Sequence, residues 1–313
     1  MARIVIALGG NALGNSPREQ EERVRVAAAS LVSLIEEGNE IVVSHGNGPQ
    51  VGMIRLAFDR AGEDGKGGIP KMPLEICTAM SQGYIGYQLE AGIKQALAER
   101  RLPSQVATVL TQVTVAADDP AFGHPTKPIG AFYDKESAGR MMRETPGLIM
   151  REEAGRGWRQ VVPSPKPQEI IEDQAIRALL EREFVVIACG GGGIPVTRGA
   201  DGTLTGVEAV IDKDFASAKL AEVVGADCLL ILTAVEHVCI GFGRADEQEL
   251  AHMTVAEAKA HIAAGEFAAG SMLPKVEAAV AFARGGNGRR AVIGSLDHAL
   301  DAVRGKSGTT VTL

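Results

Sequence analysis

The 313-residue sequence predicts an α/β fold, a mainly parallel sheet covered by helices on both faces. Two observations carry this. Four short apolar segments, RIVIALGG, EIVVSHGNG, FVVIACGGGG and LLILT, read as buried strands, and helical patterns stand between most of them. That alternation is the βαβ signature. Hydrophobic residues make up 45% of the chain, ample for the packed core of one large domain or two ordinary ones.

The N-terminal stretch MARIVIALGGNAL is too short to span a bilayer and lacks a cleavage-like region, so it reads as the first strand of a cytoplasmic protein. Ser16-Pro17-Arg18-Glu19 is a capping-box pattern with proline at the first helical position, and the amphipathic run behind it ends at Gly38. Residues 73 to 99 predict a long helix despite Gly83 and Gly86. From Asp118 to Pro167 the prolines cluster, the apolar runs shorten and the only tryptophan, Trp158, appears. This segment reads as an inserted subdomain or lid, about 118–167, in which Pro125 and Pro128 stiffen the backbone around Lys127. A hairpin is predicted at 194 to 210, turning at Ala200-Asp201-Gly202.

A formal net charge of −7 without long runs of like charge argues against nucleic acid or an anionic membrane as the main partner. Any anion site must then be built locally. Cys77, Cys189, Cys228 and Cys239 stand singly in apolar surroundings, as reduced core cysteines of a cytosolic protein do.

Three predicted strands end in glycine-rich turns on the carboxyl edge of the sheet: Gly9-Gly10-Asn11, Gly46-Asn47-Gly48, and Gly190 to Gly193. Backbone N–H groups in such turns, backed by helix N-termini, make concave anion sites. Each loop alone is equally a tight turn that needs positive φ, but three together point to a polyanion such as a nucleoside triphosphate facing a small anionic substrate. Gly305-Lys306-Ser307 imitates the end of a Walker loop, yet Leu300 stands where its first glycine belongs, so it reads as a surface turn. Gly46, Gly48 and Gly52 resemble a dinucleotide fingerprint with one extra spacer, a weak signal alone.

Three lysines occupy unusual contexts, PTKPIG at Lys127, IDKDF at Lys213 and GSMLPKVE at Lys275. Compact ammonium charges suit a moving phosphoryl group, and Asp214 is placed to hold such lysines in register. The plainer alternative makes Asp212 an N-cap and the lysines at 213 and 275 solvated charges. A cation in a first turn opposes the helix macrodipole, which favours the functional alternative.

The blocks ALGGNAL, HGNGPQVG, AMSQGYIGYQL, PTKPIGAFY, GWRQVVPSPKP, ACGGGGIPV, GVEAVIDKD, GSMLPKVEAA and GSLDHALDAV run in order from Ala7 to Val303 and resemble the carbamate kinases of the amino-acid kinase family. The resemblance implies a three-layer α/β/α sandwich around a mainly parallel eight-stranded sheet, a small protruding subdomain and a homodimer. It implies reversible phosphoryl transfer between ATP and carbamate, giving ADP and carbamoyl phosphate, with Mg²⁺ on the nucleotide. Carried over by motif, it puts Gly9, Gly10, Asn11, Gly46, Asn47 and Gly48 around carbamate and the transferred phosphoryl. Lys213, Asp214 and Lys275 become the catalytic group, and Gly190, Gly191, Thr233, Val238 and Met272 join them on the nucleotide. Many relatives that act on other acids carry lysine two residues before the first of the paired glycines, whereas this chain has Ala7. The resemblance implies that Lys127 supplies that charge from the inserted segment. Another acid kinase of the same family, a non-catalytic nucleotide sensor and, on the weak fingerprint alone, an NADP-dependent oxidoreductase are the alternatives.

Overall fold

The structure is a computed structural model that describes residues 2–9, 17–63, 68–153, 155–286 and 288–313. The apolar runs form the middle of an eight-stranded sheet, in the order β14-β16-β15-β11-β1-β2-β8-β3. Its strands are β1 (Arg3–Leu8), β2 (Glu40–His45), β3 (Gln105–Thr108), β8 (Phe184–Ile187), β11 (Cys228–Thr233), β14 (His252–Thr254), β15 (Arg290–Ser295) and β16 (Thr309–Thr312). All neighbours pair in parallel except β15 and β16.

Strand alternation sorts the core into two layers. Ile4, Ile6 and Leu8 of β1 face helices α1 (Pro17–Glu36) and α3 (Leu74–Glu99), burying Val24, Leu31, Ile85 and Leu89 among others. Val5 and Ala7 face the other way, into a core shared with α5 (Asp173–Leu180), α6 (Lys213–Val223), α7 (Val255–Ala263) and α8 (Met272–Ala283). The short α9 (Ala299–Val303) adds Ala299 and Ala302 to the first layer. The result is the predicted three-layer sandwich. Capping follows local chemistry: Thr254 and Glu257 form a reciprocal capping box on α7, and the Asp212 carboxylate accepts from the Asp214 N–H at 2.8 Å to start α6.

Strand order reverses beside β1. The chain fills one side with β2, β8 and β3, then the other with β11 and β15, and such switch points open a crevice at the carboxyl ends of the strands. Two small sheets flank that edge: β4 (Gln112–Thr114) with β9 (Ile194–Arg198) and β10 (Leu204–Gly206), and β12 (Val238–Ile240) with β13 (Gln248–Leu250). β9 and β10 are the predicted hairpin.

The proline-rich insert folds into its own antiparallel sheet of β5 (Lys127–Tyr133), β6 (Met150–Glu153) and β7 (Gly157–Val162), with α4 (Lys135–Glu144) beside it. This arm rests on α2 (Gly48–Glu63), where Ile129 and Val162 bury against Val51 of α2 and Cys77 of α3. A Cβ on Gly52 would stand 2.2 Å from the Gly130 Cα, and Gly130 itself has φ of +74°. Backbone meets backbone at that point. Gly52 is therefore required for the arm to lie on α2, which gives its spacing from Gly46 and Gly48 a packing explanation in place of a dinucleotide one.

Candidate active site

Gly9, just after β1, and the loops after β2 and β8 meet at the switch point. Gly46 N–H donates to the Leu8 carbonyl at 3.0 Å, tying the first two strand ends together, and Gly9 sits against the Leu232 carbonyl of β11. Gly10 and Asn11 lie outside the described residues. Asn47 is buried and donates to Ser81 Oγ at 2.9 Å.

The four glycines after β8 are approached by the chain itself. A Cβ on Gly190 would stand 2.4 Å from His45 Nε2, one on Gly191 2.2 Å from Asn47 Nδ2, and one on Gly192 2.3 Å from the Ile211 carbonyl. Gly191, Gly192 and Gly193 also have φ of +65°, +92° and +91°. Their first role is thus to let the second loop and the lead into α6 close around them. Gln82 of α3 fixes this loop, with Nε2 donating to the carbonyls of Gly190 (2.9 Å) and Thr111 (3.1 Å) while Oε1 accepts from Thr111 N–H (2.8 Å). A lone glutamine in a helix carries no signal in the sequence beyond its polarity on a buried face.

His45 is fully buried, and burial pushes its pKa down to about 4 despite the hydrogen bond its Nδ1–H donates to the Gly46 carbonyl. It is neutral at pH 7. Its folded pKa lies below the ordinary 6.5, so the stability it contributes is present above pH 6.5 and is lost as pH falls through 4. Urea denaturation at pH 7 and pH 4 should show His45→Asn losing about 3 kcal/mol less than the parent chain across that interval. Equal losses would mean that His45 is not the group protonated there.

At the N-terminus of α6 the charges form a chain. Lys213 and Asp214 are both buried. The Lys213 ammonium donates to Asp214 Oδ1, and Lys275, in the first turn of α8, donates to Asp214 Oδ2 at 3.0 Å. One carboxylate thus holds both lysines, as predicted, and the solvated alternative for Lys213 is set aside. Burial pushes the pKa of Lys213 below its ordinary value, Lys275 adds repulsion, and the two aspartates partly oppose both.

Lys127 reaches the same place from β5. It ion-pairs with Asp212, whose other oxygen caps α6. Burial alone would raise the Asp212 pKa, but Lys127 and Lys213 overcome it and hold the carboxyl well below the usual range. Asp212 is the site residue that sequence reasoning reduced to a cap. Its signal was the block IDKD, two carboxylates flanking one lysine. Lys166, near the end of the insert, lies with Nζ 3.0 Å from the Phe215 ring centroid and 3.7 Å from Glu277, linking the insert to α6 and α8.

The residues assigned to the nucleotide are less uniform. Thr233 ends β11 beside Gly9, and Met272 begins α8 half-buried. Val238 is fully buried, and its N–H donates to Thr309 Oγ1 at 2.7 Å. Among the described residues no cluster of three or more His, Cys, Asp or Glu could hold a metal. All four cysteines are free, and burial raises the thiols of Cys77 and Cys228 to about 11.

Comparison with known proteins fits this geometry. A model of the amino acid kinase family matches residues 2–295. The carbamate kinase of Staphylococcus haemolyticus is 51% identical over 311 residues, covering 99% of both chains. The carbamate kinase-like protein YqeA of Escherichia coli is 49% identical over 309 residues, covering 99% of this chain and 98% of that one. The structure of Giardia lamblia carbamate kinase bound to AMP-PNP matches with a TM-score of 0.89 at 42% identity, covering 99% of this chain and 98% of that one. The chain belongs to the amino acid kinase family, in its carbamate kinase branch.

Proposed function

We propose that the chain is a carbamate kinase, catalysing reversible phosphoryl transfer between ATP and carbamate. The observation that carries this is the Asp214 carboxylate holding Lys213 and Lys275 beside the glycine loops, with Lys127 joining through Asp212. Carbamate is already an anionic oxygen nucleophile, so no general base is needed. The obstacle is bringing two anions together, and positive charge with preorganised N–H donors removes it.

In this reading Gly9, Gly10, Asn11, Gly46, Asn47 and Gly48 surround carbamate and the moving phosphoryl. Lys213 and Lys275 accompany the phosphoryl in an in-line transfer, and Asp214 keeps them in register. Gly190, Gly191, Thr233, Val238 and Met272 border the nucleotide. Residues 118–167 act as a lid that delivers Lys127 and shields carbamate, which decomposes readily in water. Mg²⁺ bound with the nucleotide would supply charge neutralisation to its phosphates. The described residues offer no three-carboxylate cage, and an ion carried by phosphate oxygens and water needs none. The four unpaired cysteines favour the cytoplasm.

We also take the chain to be a homodimer. Ile76, Met80 and Tyr87 form an exposed apolar stripe along α3, with Gly83 between them leaving room for a close partner. Its mass in solution tests this.

The function is tested with a set of phosphoryl donors to ADP. Carbamoyl phosphate should yield ATP at least about 10²-fold faster than acetyl phosphate at equal concentration, because a site fitted to a particular amide discriminates strongly. Comparable use of both would favour another acid kinase of the family.

A further inference from the structure

The arm carries a second buried cation. Arg159 lies on β7, the strand paired with Lys127's own β5, and its side chain is only 12% exposed. Nη1 donates to Glu153 at 3.2 Å. Nε is buried without an acceptor among the described residues, and Nη2 lies 4.0 Å from where a Cβ on Gly48 would stand. Nε and Nη2 form one edge of the guanidinium, the parallel pair of N–H groups that donates to both oxygens of a carboxylate. The Nη2 end of that edge lies toward Gly48, the first residue of α2, where the helix end is itself positive. Two positive groups confronting each other in a mostly buried place call for an anion between them. Burial, reinforced by Arg156, disfavours the charge on Arg159, yet arginine stays protonated at neutral pH.

We propose that Arg159 is a second contact from the arm to the small substrate, its Nε–Nη2 edge taking the carboxylate oxygens of carbamate opposite Gly48. This rests on the carbamate kinase reading and divides the arm's labour. The planar fork fits the planar carboxylate, whereas the compact Lys127 ammonium suits the phosphoryl. In carbamoyl phosphate the same edge holds the carbonyl and bridging oxygens.

A purely structural role is the competing explanation, since Arg159 and Arg156 lie 5.0 and 4.6 Å from the centroid of the Phe132 ring and Arg159 pairs with Glu153. Five variants separate the two. Arg159→Ala should lose roughly 10² or more in kcat/KM for carbamoyl phosphate, with ADP affinity by calorimetry within about twofold of the parent. Arg159→Lys, which keeps the charge and the stem, should lose nearly as much. Added methylguanidinium should restore activity about tenfold in Arg159→Ala and leave Lys127→Ala unchanged. Phe132→Leu and Glu153→Gln should stay within about fivefold of the parent.

A binding readout needs no turnover. Acetate, compared with chloride at equal ionic strength, should raise the Tm of the parent chain and leave that of Arg159→Lys unmoved. Near-parental kinetics in Arg159→Ala would overturn the proposal. So would losses in Phe132→Leu and Glu153→Gln that match it without guanidinium rescue. If the parent chain makes no ATP, the carbamate kinase reading fails, and the acetate comparison still decides whether Arg159 holds a carboxylate.

Discussion

Lys213→Ala is expected to lower kcat by about 10³ at saturating ADP and carbamoyl phosphate, with a folded protein by circular dichroism. The ammonium is buried at the start of α6, bound to Asp214 and adjacent to Lys275, so its removal takes away a positive charge that a neutral water does not replace. Asp214 keeps Lys275 as a partner in the variant, which spares the fold the cost of an orphaned carboxylate. The pH profile gives an independent sign. Because burial holds the Lys213 pKa below the ordinary lysine value and the charged form is the active one, activity should fall on the alkaline side earlier than a solvent-exposed lysine would titrate. Lys213→Arg, which does not deprotonate in this range, should lack that limb in its residual activity. Near-normal turnover in the alanine variant would remove Lys213 from the mechanism.

Lys127→Ala is expected to cut kcat/KM for carbamoyl phosphate by roughly 10² or more while ADP affinity changes little. The lysine arrives from an arm that is separate from the main sheet, and its contact there is Asp212 at the cap of α6. The arm's seat on α2 through Gly52 and Gly130 sets how far that lysine reaches. Lys127→Arg should rescue poorly, because a planar fork does not replace a compact ammonium beside a carboxylate that also caps a helix. Calorimetry for ADP and steady-state kinetics for carbamoyl phosphate give the comparison. Parental kinetics would reduce Lys127 to a structural ion pair and end the lid reading.

The four strands legible in the sequence, β1, β2, β8 and β11, are the four that stand side by side in the centre of the sheet. Burial on both faces makes such strands continuous apolar runs. The edge strands β3 and β14, with sequences QVAT and HMT, and β16 beside β14, with TTVT, are short and half-polar, so no apolar run marks them. The arm was legible as an interruption but not as a sheet, because β5 bulges between Ile129 and Tyr133 and β6 reads MREE. In the site, Lys213, Asp214 and Lys275 were legible from context. The pairing of Lys127 with Asp212 spans 85 residues and depends on the arm folding back over α2, which no local pattern encodes. The four glycines were legible as a close approach, while the approaching groups, His45, Asn47, Val113 and Ile211, come from three other segments.

In the proposed function this chain moves one phosphoryl group directly between carbamoyl phosphate and ADP. Phosphorus NMR of the parent chain with Mg²⁺, ADP and carbamoyl phosphate follows that group itself. The carbamoyl phosphate resonance should disappear as the γ-phosphate resonance of ATP grows in equal amount, far faster than without enzyme, and Lys213→Ala should suppress the exchange. Inorganic phosphate growing in place of ATP, or no acceleration over the enzyme-free mixture, would contradict it.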